Sequence, residues 1–278
     1  MMTQRRPLGA FARFVLAPLA PLAPLAAFVG MPAAANAQTD YYNTDRGRPF
    51  HIEDAYPVER RAFELQAAPL RLERGAGGVY HWSVEPELAY GILPRTQLEV
   101  GVPLSYVDAA GGSTSGVAGV HVSVLHNLNV ETSLPALAVG ARALLPVGAL
   151  APDDPYFSFA GIATRTFTWM RFHVNGEYTV GDEPAIGAGT GELSRWSAGI
   201  AMDKTFPLRS LLVGAEFVAR QPLSGSSEMV FVAGTGLRYQ RTPRWAIDGG
   251  IGKHLTGDDR AWYVTFGSAY AFGLPWHP

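Results

Sequence analysis

From Arg61 to Phe272 the chain swaps apolar for polar residues at nearly every second position. Residues 79–90, VYHWSVEPELAY, show it plainly: Tyr80, Trp82, Val84, Leu88 and Tyr90 share one parity, and His81, Ser83, Glu85 and Glu87 the other. A period of two marks a β-strand with two unlike faces. Repeated along the chain, it predicts about twelve strands, at approximately 62–73, 79–90, 96–106, 116–128, 136–145, 157–167, 170–178, 195–205, 211–221, 229–240, 245–254 and 261–272. Most have the ~9–11 residues that a tilted strand needs to cross a bilayer. No amphipathic helix stands between them to cover a greasy sheet face. The first strand shifts parity near Ala67-Ala68-Pro69, as a bulge would, and the sixth, FSFAGIATRTF, is ambiguous.

The connections decide which solvent the greasy face meets. Those after odd strands are longer and acidic (DAAGGSTSG, GALAPDDPY, TVGDEPAIGAGTGELSR, PLSGSSE, LTGDDR), while those after even strands are mostly tight (GILPR, PLRS, RTPR). Alternating long and short connections are expected of an antiparallel transmembrane β-barrel with both termini periplasmic. The apolar face then meets lipid and the polar face lines a lumen. Aromatic residues gather at both strand ends. Trp82, Tyr106, Tyr178, Trp196 and Trp262 fall near the long loops, and Tyr90, Trp169, Tyr239, Trp245 and Tyr270 near the short turns. Rings at those levels are read as two interfacial girdles.

The first 37 residues stand apart. Arg5 and Arg6 precede an apolar run that ends Ala35-Asn36-Ala37, the layout of a cleaved signal peptide, and Pro18, Pro21 and Pro24 argue against a spanning helix. Residues 38–60 are expected as a periplasmic N-terminal segment, either tail or plug, followed by a barrel over 61–272 and a short tail over 273–278. The full chain of 278 residues has a net charge of −2. Removing residues 1–37 takes away three arginines and no acid, so nothing points to nucleic acid as a partner. Cysteine is absent, and the seven histidines are scattered without metal-ligand spacing, so no cofactor or metal is expected.

The lumen parity collects the charges. Glu85, Glu87, Glu99, Glu177, Glu216 and Asp248 are acidic candidates for a constriction, with Arg142, Arg171, Arg238 and His173 opposing them; Arg71, Arg165, Arg220 and Asp203 share the assignment. Such residues either select solutes by charge or brace a closed interior with ion pairs. Glycines such as those of GTG at 234–236 and GGIG at 249–252 are read as barrel curvature or lumen clearance. His121 and Ser123 have a spacing that resembles the pair of outer-membrane phospholipases, but His121 falls on the lumen face, away from lipid. No catalytic residue is therefore assigned. The longest connection, 179–195, is a candidate lid.

The last strand, TFGSAYAF, resembles the C-terminal signal read by barrel-assembly machinery, with Gly267, Tyr270 and Phe272 in the signal positions, although GLPWHP follows. RTQLEVGVPLSYV (95–107), ATRTF (163–167), GLRYQRTPRWAIDGGIGKHLTGDDRAWYVTFGSAYAF (236–272) and FHIEDAYPVERRAFELQ (50–66) resemble a family of outer-membrane transporters named for the MetA pathway of phenol degradation. That resemblance implies passive passage of small molecules, hydrophobic or aromatic ones among them. The alternatives are a plugged structural or surface-binding barrel and, third, an outer-membrane hydrolase. The implied partners are outer-membrane lipid, lipopolysaccharide and the assembly machinery.

Overall fold

The computed structural model describes residues 43–67, 70–75, 78–183, 193–223, 228–257 and 260–273. Over them the chain is all-β. It forms twelve antiparallel strands, the first four each broken in two. These are β1 (Ala62–Gln66 and Leu70–Arg74), β2 (Tyr80–Val84 and Glu87–Leu93), β3 (Thr96–Gly101 and Leu104–Ala109) and β4 (Gly112–Val117 and Val120–Asn127). The rest are continuous: β5 (Ala136–Leu145), β6 (Tyr156–Thr166), β7 (Arg171–Val180), β8 (Ser194–Thr205), β9 (Leu211–Pro222), β10 (Val230–Thr242), β11 (Trp245–His254) and β12 (Trp262–Gly273). Each strand pairs with the next, and β12 returns to β1 through Ala62↔Gly273 to Gln66↔Ala269 and Phe266↔Leu70 to Trp262↔Arg74. The barrel is closed, so no sheet edge is left over most of its height.

Alternation sets the two faces. Trp82, Leu88, Val100, Val124, Phe159, Val174, Leu237 and Ile251 are exposed on the outside, while Gln66, Thr164, His173, Leu212, Arg238 and Thr265 are buried within. The aromatic rings line up across strands. Near the long loops Trp82 pairs with Tyr106, and Tyr178 with both Trp196 and Phe159. Near the short turns Phe63 stacks on Tyr90 and Phe272, Tyr270 lies opposite Trp245, and Trp169 packs on Phe167 and Phe172.

Three features depart from the sequence reading. The expected loop over 107–115 is instead a hairpin, with Tyr106↔Ser115 and Asp108↔Ser113 paired up to a tight turn after Ala109. Its Ser, Thr and Val residues suit a ladder better than its glycines suggest. The second departure is the set of strand breaks. An irregularity was expected in β1 alone, yet β2 breaks at Glu85-Pro86, β3 at Val102-Pro103 and β4 at Ala118-Gly119. Proline cannot donate to a ladder. The breaks align because each proline carbonyl still accepts from the next strand, Val102 N–H to Pro86 at 3.1 Å and Ala118 N–H to Pro103 at 2.8 Å. The third departure is Arg165, which does not face the lumen. The parity of β6 turns Thr164 inward and sends Arg165 to the short-turn rim, where it donates to the Thr132 and Leu134 carbonyls and pairs with Glu131.

The lumen is not empty. Residues 43–60 run inside it, with a tight turn at Asp45–Arg48 and an extended course to β1. Their bed is glycine. Gly214, Gly236 and Gly250 lie directly opposite one another on β9, β10 and β11. A Cβ on Gly236 would come 2.7 Å from Pro49 Cβ, one on Gly214 2.9 Å from Phe50 Cζ, and one on Gly199 of β8 2.6 Å from Ile52 Cδ1. The clearance read into these glycines is thus occupied by the protein's own chain. A Gly236→Val variant is expected to lose about 1–3 kcal/mol by overpacking, seen as a lower denaturant midpoint in detergent. Gly176→Ala, with open space around the added methyl, should leave the midpoint unchanged.

Candidate functional site

An extended segment in a lumen must find partners for its backbone N–H and C=O groups. Here the strand side chains supply them. Glu53 N–H donates to Asn175 Oδ1 at 2.7 Å, and Asn175 Nδ2 donates back to the Glu53 carbonyl at 2.8 Å. Ala55 N–H donates to Thr164 Oγ1 at 3.0 Å, while Asn127 Nδ2 donates to the Ala55 carbonyl at 2.8 Å. Val58 N–H reaches Gln97 Oε1 at 2.8 Å. Glu216 accepts from the backbone N–H of both His51 and Ile52, from the His51 ring at 2.6 Å and from the Tyr263 hydroxyl at 3.2 Å.

Charge pairs fasten the same segment. Arg48, wholly buried, lies between Asp45 at 2.5 Å and Asp248 at 3.2 Å, with Glu64 at 3.7 Å. Arg238 donates to Asp45 at 2.6 Å and to the Asn43 carbonyl at 2.8 Å. Arg46 forks onto Glu177. Arg171 bridges Asp203 of β8, at 3.0 Å, and Asp54 of the segment, at 3.7 Å; His173 joins Asp203 at 2.8 Å and Thr164 at 3.0 Å.

The ten lumen candidates therefore divide. Arg171, His173, Glu177, Glu216, Arg238 and Asp248, on β7, β9, β10 and β11, hold the N-terminal segment or the residues that hold it. Glu85, Glu87 and Arg142, at the break of β2 and on β2 and β5, do not, and Glu99 on β3 reaches the segment only through Gln97, which accepts from Val58 N–H. Glu85 pairs with His121. Among the described residues Glu99 accepts only from the neutral Gln97 at 3.0 Å and Ser123 at 3.4 Å. Glu87 and Arg142 have no hydrogen bond or ion pair among the described residues. The remaining free space lies between these residues and β6–β9: a cavity of about 120 Å³, with Glu85 and Arg142 on one side and Ile162, Glu177 and Val218 on the other, reaching Leu144 and Ser194 near the long-loop end, and two smaller ones adjoining it, one of them lined by Glu87 and Glu99. Arg46, Glu53 and Arg142 line all three.

Sequence reasoning missed the segment's own contributors: Asp45, Arg46, Arg48, His51, Glu53 and Asp54. A signal was present. Nine charged or imidazole side chains crowd residues 45–61 without period-two alternation, which suits neither a strand nor an idle tail.

The pattern of the family described as "Putative MetA-pathway of phenol degradation" matches residues 87–272. The chain belongs to this family. No curated protein matches the MetA-pathway family chain by sequence. Among solved structures it is similar to an outer membrane channel from Pseudomonas putida F1, with a TM-score of 0.56 at 12% identity, covering 82% of this chain and all of that one. It is also similar to the KdgM porin, with a TM-score of 0.50 at 13% identity, covering 76% of this chain and 99% of that one. A KdgM porin in complex with disordered oligogalacturonate gives 0.51 at 12% identity, with the same coverage. These likenesses show the fold, that of outer-membrane barrels.

Within this MetA-pathway family barrel, Ser123 and His121 do not work as a pair. Ser123 Oγ turns to Glu99 and the His121 ring to Glu85. The candidate lid at 179–195 falls largely on residues 184–192, outside the described residues, as does the proposed signal peptide.

Removing Glu216 would strand two backbone N–H groups, the His51 ring and the Tyr263 hydroxyl, at about 1–3 kcal/mol for each buried group left unpaired. The Glu216→Ala barrel should stay closed while its segment loosens. Trypsin is then expected to cleave after Arg46 in the folded variant and to spare the parent protein.

Proposed function

We propose that the protein is an outer-membrane channel for passive passage of small organic solutes, the aromatic compounds named in its family's description among them. The observation that carries this reading is the free space left beside the N-terminal segment. At about 120 Å³, the main cavity approaches the ~150 Å³ of an apolar cavity that takes up benzene. Its lining mixes Ile52, Leu144, Ile162 and Val218 with Glu53, Glu85 and Arg142, the blend of apolar walls and a few polar groups typical of small-molecule sites. Twelve strands lie between the packed interior of an eight-stranded barrel and the open channel of a sixteen-stranded one. In such a barrel one extended segment narrows the lumen without filling it.

In this reading residues 1–37 are removed on export, the short turns and both termini face the periplasm, and the acidic long loops face outward. The N-terminal segment sets the bore. The chain from Gln38, folded into planar bilayers and vesicles, is expected to give discrete current steps and uptake of small uncharged aromatics. Deleting residues 43–57 should enlarge both several-fold. Steps unchanged by the deletion would remove the segment from the path. Neither current nor uptake from folded protein would leave a sealed structural or surface-binding barrel.

A further inference from the structure

The lumen's charges are distributed unevenly. Along β6–β12, β1 and the segment they hold, the acidic groups Asp45, Asp54, Glu64, Glu177, Asp203, Glu216 and Asp248 each meet an arginine or a histidine within 4 Å. On the β2–β5 side Glu85 likewise meets the His121 ring, but Glu99 meets only neutral donors among the described residues, and Glu87 and Glu53 offer carboxyl groups that no hydrogen bond or ion pair among those residues engages. Arg142 is the guanidinium left to face them. Arg46, which lines the same cavities, is already committed to Glu177.

Glu87 is the decisive member. It is 7% exposed, unpartnered, and lines a small cavity together with Glu53, Glu99 and Arg142. Gly101 opposite holds it in place: a Cβ there would come 2.9 Å from Glu87 Cγ and 3.1 Å from Glu85 Oε1. A buried carboxyl without a partner costs the fold unless it takes up a proton or a counter-charge arrives. Among the described residues no three acidic or imidazole groups converge closely enough to hold a metal ion. The arrangement is a wall of separate carboxyls along the free space, and walls of that sign admit cations.

We infer that Glu53, Glu85, Glu87 and Glu99 form a cation-binding wall that makes passage through this lumen selective for small monovalent cations, inorganic or organic ammonium, over anions. The inference rests on the channel reading above. It names the charge class of the solute and assigns the four glutamates as selectivity residues, with Arg142 as the opposing charge that moderates them.

The test is a reversal potential in a potassium chloride gradient across a planar bilayer. The parent protein is expected to favour K⁺ over Cl⁻ several-fold. That preference should fall toward parity in Glu87→Gln and Glu99→Gln and rise in Arg142→Gln, each shown to be folded by far-ultraviolet circular dichroism. Current without cation preference, or a preference the glutamate variants leave intact, would overturn the inference while leaving the channel standing. Absence of current would instead overturn the channel reading, and binding then decides the wall. In detergent at equal ionic strength, potassium chloride should raise the unfolding midpoint above that in N-methylglucamine chloride, whose cation is too bulky for the cavity. The difference should vanish in Glu87→Gln. Equal midpoints in the two salts would overturn it.

Discussion

A backbone that enters a barrel lumen loses most of its water and gains no sheet edge to pair with. Every N–H and C=O it carries must be met by side chains from the wall, or the segment does not stay. That requirement organises this molecule. Asn175, Thr164, Asn127, Gln97 and Glu216 are polar residues on five different strands, and each answers a backbone group between His51 and Val58. The glycines of β8–β11 follow from the same constraint. Side chains there would lift the segment away from the donors and acceptors that hold it.

The barrel itself was legible in the sequence because its cause is local. Lipid on one side and lumen on the other force a two-residue period, and that period survives in any window of eight residues. Strand positions consequently agree with the ladder to within a few residues, as for β5 at 136–145 and β11 at 245–254. Parity also conceals. Pro86 sits on the apolar parity of VYHWSVEPELAY, so the pattern runs straight through a position where the ladder opens. Arg165 shows the complementary failure: in FSFAGIATRTF small residues blur both faces, and a single arginine cannot show which side it takes.

The candidate site was legible as a roster and not as an arrangement. Inward parity named Glu87 and Glu216 alike, since both occupy lumen positions. What separates them is contact with residues 43–60, between residues more than 160 apart in the chain for the pair of His51 and Glu216. No local pattern encodes such a contact. The charge-dense, aperiodic stretch over 45–61 announces only that something must neutralise it.

With the segment in place, the lumen acquires two sides with different chemistry. Where the strands are continuous, from β6 to β12, arginine and carboxylate are matched pair by pair, and each pair ties down the segment or an immediate support of it. Where β2 to β4 are broken, Glu87 and Glu99 meet no cation within ion-pair distance among the described residues and stand beside the small cavity they share with Glu53. Bracing cannot account for them, since replacing an unpaired buried carboxyl by a neutral or apolar group is expected to stabilise a fold that does not need the charge. Anchoring reaches Glu99 only through Gln97 and leaves Glu87 out, because the backbone bonds to this side come from the neutral Gln97 and Asn127. A stability cost set where solute space remains is the arrangement expected of groups that act on what passes, much as strain and unpaired charge gather at functional sites elsewhere. The matched side of the lumen thus fixes the bore, and the unmatched side gives that bore its charge.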